Sequence, residues 1–90
     1  MGPKKLTGVH LHPGSGKKVE YLVEYRFTTI GANYQGYALL HGKKVRFALG
    51  VRTWGLWVLR ASHHIQQEAL EALDFSSMEK LEASANEGAD

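Results

Sequence analysis

Between Lys17 and Thr29 the chain alternates more clearly than anywhere else along it. Val19, Tyr21, Val23, Tyr25 and Phe27 fall on one side, and Glu20, Glu24, Arg26 and Thr28 on the other, with Leu22 the exception. A period of two over that length predicts a strand buried on one face. Leu6 to His12 repeats the pattern more briefly, Val9 and Leu11 facing one way and His10 and His12 the other, before the Pro13-Gly14-Ser15-Gly16 turn. Gly31-Ala32-Asn33 breaks the long strand. Tyr34 to His41 predicts another, interrupted at Gly36, and Gly42-Lys43 stands where a two-residue hairpin turn belongs. Val45 to Val51 alternates again: Val45, Phe47, Leu49 and Val51 are assigned inward, and Arg46 and Arg52 outward. After Thr53-Trp54-Gly55, Leu56 to Arg60 is apolar on both faces and predicts a last, covered strand.

The period then changes. Ser62 is placed as the N-cap of a helix running to about Leu73, with Ile65, Ala69, Ala72 and Leu73 as its apolar stripe and Glu68 and Glu71 pointing away. Ser76-x-x-Glu79 has the spacing of a capping box and opens a short second helix anchored by Met78 and Leu81. The expected fold is therefore α+β: an antiparallel meander of four to five strands, followed by a C-terminal helix and a short second helix. A half-closed barrel is the alternative. Residues 1–5 are assigned to a disordered basic arm, 6–83 to one small domain and 84–90 to a disordered acidic tail. Ninety residues bury about 60–65% of their unfolded surface, enough for one small core.

Charge adds a second layer to this pattern. Residues 1–60 hold ten of the eleven Lys and Arg against Glu20 and Glu24, a net of +8; residues 61–90 hold Lys80 against seven acids, a net of −6. The sign changes where strands give way to helices, so the asymmetry separates two layers of one domain. A basic sheet points to a polyanionic partner, and nucleic acid is the first candidate. The residues assigned to contact it are Lys17, Lys18, Arg26, Lys43, Lys44, Arg46, Arg52 and Trp54. Arginine forms bidentate bonds to phosphate or guanine, lysine supplies a mobile point charge, and an exposed tryptophan can stack on a base. DNA is favoured over RNA because sheets and β-ribbons enter DNA grooves. The alternative is a protein-interaction module, an adaptor or inhibitor of a larger complex, using the aromatic-rich sheet or the acidic helix.

The segment Gly50-Val51-Arg52-Thr53-Trp54-Gly55-Leu56-Trp57-Val58-Leu59-Arg60 resembles the strand-turn-strand of plant ethylene-response DNA-binding domains, which combine a three-stranded sheet with a helix. The likeness covers eleven residues of the ninety. Its turn is shorter than that family's, and no third strand separates it from the helix. It implies DNA contact through the sheet.

Other chemistry finds little support. His10, His12, His41, His63 and His64 lack a spacing that ensures convergence on a metal. Gly14-Ser15-Gly16-Lys17 fails the phosphate-loop pattern, since Leu11 occupies the earlier glycine position and Lys18 follows in place of Ser or Thr. No nucleophile elbow or H-E-x-x-H motif occurs. The expectation is a non-enzymatic protein without cofactor or metal. The chain has no cysteine, no apolar stretch of signal-peptide or membrane-spanning length, and no myristoylation start, which together fit a reducing cytoplasm.

Overall fold

The computed structural model describes residues 3–87. Four strands, β1 (Lys4–Leu11), β2 (Lys18–Phe27), β3 (Gly31–Leu40) and β4 (Lys43–Thr53), form one open antiparallel sheet in sequence order. A 3₁₀ helix (Leu56–Arg60) leads directly into α1 (Ala61–Asp74), and α2 (Met78–Glu87) follows. The fold is α+β, a meander with C-terminal helices. No helix among the described residues is long and apolar enough to cross a membrane.

Both helices lie on one face of the sheet. On β2 the alternation holds, with Val19, Tyr21, Val23 and Tyr25 buried toward the helices. Under α1, Tyr21, Val23 and Tyr25 join Ala32, Tyr34, Ala48, Trp57, Ile65 and Ala69 in one cluster. Under α2 a second cluster gathers Val19, Ala38, Val45, Leu73, Met78, Leu81 and Ala85. Phe47 and Leu70 pack against both clusters, so the core is continuous. Ile65, Ala69 and Leu73 recur every four residues along α1, which places them on one stripe facing the sheet.

Several sequence expectations are corrected. Leu56 to Arg60 is a 3₁₀ helix, so among the described residues there is no fifth strand. The strand-turn-strand resemblance therefore fails in its second strand. Only Trp57 of this segment is buried, while Leu56 is 87% and Leu59 81% exposed. A short apolar run does not distinguish strand from helix by periodicity alone. The β3–β4 turn is His41-Gly42, both with positive φ (53° and 76°), not Gly42-Lys43. Two central residues with positive φ match the twist of the flanking strands. The sheet begins at Lys4, which pairs with Tyr25, so Lys4 and Lys5 belong to β1 rather than to a loose arm. Residues 1–2 and 88–90 of the expected arm and tail lie outside the described residues, but α2 continues through residues assigned to the tail. α1 starts at Ala61 with no side-chain cap, and Ser77 rather than Ser76 caps α2, its Oγ accepting from the Lys80 N–H at 3.4 Å. Ser76 turns back to donate its hydroxyl to the Ala72 carbonyl.

The correction with most bearing on function is in β4. Gly36 pairs with Ala48 and Tyr37 with Arg46, which leaves Phe47 as an extra residue in a β-bulge. A bulge shifts the phase of everything beyond it. Leu49 and Val51 therefore point away from the helices, and Ala48, Gly50 and Arg52 point toward them.

Candidate nucleic-acid interface

The face of the sheet turned away from the helices can be read from the register. Its rows include Lys5, Glu24, Gln35 and Leu49, then Thr7, Leu22, Tyr37 and Arg46, then Arg26, Asn33 and Val51. Lys18 and Lys44 complete its cations near the far end. Five bases thus share this face with Glu20 and Glu24. Arg26 and Arg46 are exposed, and no ion pair involves either among the described residues. Lys44 lies over the Tyr37 ring, 4.8 Å from its centroid, and reaches Glu24 at 3.7 Å. The Tyr37 hydroxyl donates to Gln35 at 2.6 Å, which fixes the ring against the sheet.

Of the residues assigned from sequence, Lys18, Arg26, Lys44 and Arg46 come together here. The other four do not. Lys17 leaves the β1–β2 turn to bond Glu82 of α2 at 2.9 Å. That hydrogen bond and the lysine charge hold the Glu82 carboxyl below its usual pKa. Lys43 is on the helix side, with its Nζ buried and without a hydrogen-bond partner among the described residues. Arg52, expected on the outer face, is also on the helix side. Its guanidinium packs over Trp57 at 5.2 Å and bonds Glu68 at 3.2 Å. Beside this pair, burial raises the Tyr34 phenol pKa, and the Glu68 charge and hydrogen bond raise it further against the opposing effect of Arg52.

Trp54 stacks between Phe27 (5.8 Å) and Trp57 (5.7 Å), and its Nε1 donates to the Thr29 carbonyl at 2.9 Å. It remains 45% exposed, at the end of the sheet rather than on the basic face. Its role in packing the β2–β3 turn is explicit; a free inserting ring would lack these contacts.

Sequence reasoning missed Lys5 and Tyr37 as members of this face. The signal for Lys5 was its even spacing from Thr7, Val9 and Leu11, which extends the strand backward. For Tyr37 it was the odd spacing from Tyr34: three residues along a strand put two side chains on opposite faces. Tyr34 is in the core and Tyr37 is outside.

Two of the histidines, His10 and His12, work as latches between layers. His10 Nε2 meets Asp74 Oδ1 at 2.6 Å. Buried His12 donates from Nε2 to the Ser76 carbonyl at 2.8 Å and accepts the Ser15 N–H on Nδ1 at 3.1 Å. These bonds tie the end of β1 to the α1–α2 joint. No group of three or more potential metal ligands occurs among the described residues.

Compared with known proteins, the chain matches no family model, and neither a curated protein nor a solved structure matches it significantly. The functional reading therefore rests on the site.

Proposed function

We propose that this is a small non-enzymatic nucleic-acid-binding protein, acting in the cytoplasm, that lays its open sheet face against the polyanion. One observation carries the reading. Lys5, Lys18, Arg26, Lys44 and Arg46 share the face left uncovered by the helices, while the acidic helices occupy the opposite face. That separation orients the protein in a phosphate field and keeps the helix carboxylates out of the interface, leaving Glu20 and Glu24 as its acids. Tyr37 and the apolar side chains between the cations offer contact to sugars and bases. DNA is favoured over RNA because an antiparallel sheet fits DNA grooves, whereas the deep, narrow A-form major groove excludes it. The cysteine-free sequence supports the cytoplasmic placement.

Labelled duplex DNA, single-stranded DNA and duplex RNA, titrated at two salt concentrations, test the proposal. Five phosphate contacts give a log–log salt slope of about −4 to −5, or about 10²–10³-fold weaker binding to duplex DNA between 50 and 200 mM salt. The Arg26→Ala/Arg46→Ala double variant should bind more weakly, with a shallower slope. No binding at low salt would refute the proposal.

The second reading, an adaptor or inhibitor, is favoured by the apolar 3₁₀ segment. Leu56 and Leu59 project into solvent there, a feature phosphate contact does not use.

A further inference from the structure

β4 is the last strand of the sheet, and among the described residues no strand pairs with its outer edge. Two contacts show which backbone groups face outward. The Trp57 Nε1 takes the Thr53 carbonyl from beyond the edge. The Arg52 carbonyl instead faces β3, so close to Gly31 that a Cβ there would sit 1.7 Å from it. Orientation alternates along an antiparallel ladder. The N–H and C=O groups of Val51 and Leu49 therefore point out of the sheet.

The surroundings of this edge are two-sided. On the open face, Leu49 is 66% and Val51 60% exposed. On the helix side, His64, Gln67, Glu68 and Glu71 of α1 form one stripe, at the spacing of a single helical face. Between that stripe and Val51–Gly55 runs a groove of about 620 Å³. Arg52 engages Glu68, whereas Glu71 has no ion pair among the described residues.

We infer that this edge receives an extended peptide as a fifth strand, with apolar side chains beside Leu49 and Val51 and a Lys or Arg turned toward Glu71. Backbone bonds to Val51 and Leu49 supply the docking, as in other strand additions to free sheet edges, and the alternating side chains supply selectivity. A peptide alongside Leu49–Thr53 covers about 17 Å of strand. The charge pattern disfavours a second copy of the chain. Pairing β4 with a second copy lays two strands that each carry Lys43, Lys44, Arg46 and Arg52 alongside one another, and brings the Glu68/Glu71 stripes of two α1 helices together.

The probe is a fluorescein-labelled peptide, Thr-Val-Arg-Val-Arg-Val-Thr, titrated into the full chain by anisotropy, with a Glu-for-Arg version as control. The Arg peptide should bind at least about tenfold more tightly than the control. Glu71→Lys, an exposed position, should erase most of that preference. Val51→Pro removes an outward N–H that the ladder does not use, so it should abolish binding while the far-ultraviolet spectrum stays that of wild type. Amide shifts on binding should gather at Val51, Thr53, His64 and Gln67. Failure to bind at millimolar peptide, binding unaffected by Glu71→Lys, shifts confined to Arg26, Asn33 and Arg46, or a homodimer dissolved by Val51→Pro would each overturn the inference.

Discussion

Arg46 and Arg52 are an even number of residues apart on one strand, so unbroken alternation gives them the same face and the same role. The bulge at Phe47 separates them, and their alanine variants should behave oppositely. Arg52 packs its guanidinium over Trp57, worth about 0.5–1 kcal/mol at a partly exposed site. Its 3.2 Å bond to Glu68, with side chains 30% and 40% exposed, adds about 0.5–1 kcal/mol. Arg52→Ala should therefore cost about 1–2 kcal/mol, which lowers the melting temperature of a domain this size by about 5–12 °C. Arg46→Ala removes an exposed side chain and should stay within about 0.5 kcal/mol of wild type. Urea and thermal melts followed by circular dichroism measure both. A cycle of Arg52→Ala with Glu68→Gln should return a coupling of about 0.5–1 kcal/mol. The affinity ranking reverses: Arg46→Ala weakens nucleic-acid binding, and Arg52→Ala leaves it unchanged while the protein is folded. Equal stability losses, or a loss at Arg46 alone, would refute the bulged register and the division of roles built on it.

Three other outcomes follow from single contacts. His41→Asn, at the first central position of a turn with two positive φ values, should stabilise the fold by about 0.5 kcal/mol, because asparagine tolerates that conformation better; a loss in urea melts would contradict the turn geometry. Leu73→Ala removes a fully buried side chain beneath α2 and should cost about 2–5 kcal/mol in the same assay. The Tyr34 pKa is raised above its ordinary 10.0, so its contribution is fully present below 10.0 and declines as pH rises from there through the folded-state value. Absorbance titration should show this phenol ionising above 10.0, and Glu68→Gln should move it down; an unmoved titration would discount the Glu68 contact.

What was legible in the sequence followed from one-sided burial. β2 read cleanly because every second residue enters the core, and α1 read cleanly because Ile65, Ala69 and Leu73 repeat at helical spacing. β4 misled for a physical reason. Val45, Phe47, Leu49 and Val51 alternate without fault, yet the helix side beyond Phe47 has to accommodate the Tyr34 ring. Its hydroxyl lies 2.3 Å from where a Cβ on Gly50 would stand, so only a residue without a side chain can face inward there. The bulge supplies that fit by turning Gly50 in and Leu49 and Val51 out. Nothing local to β4 records this, because the constraint belongs to its neighbour β3.

The same limit applies to the charges. The +8 and −6 segments are visible in the sequence, but their first partners are one another. Lys17 bonds Glu82, Arg52 bonds Glu68, and His10 meets Asp74. The acidic helices cover one face of the sheet and tie up Arg52 on that face and Lys17 at the adjoining turn. The opposite face retains Lys18, Arg26, Lys44 and Arg46, with Lys5 added once β1 is extended to Lys4. A polyanion therefore meets a smaller positive patch than net charge implies, but a better ordered one. The salt dependence of binding should count those five cations rather than the ten bases of the front segment.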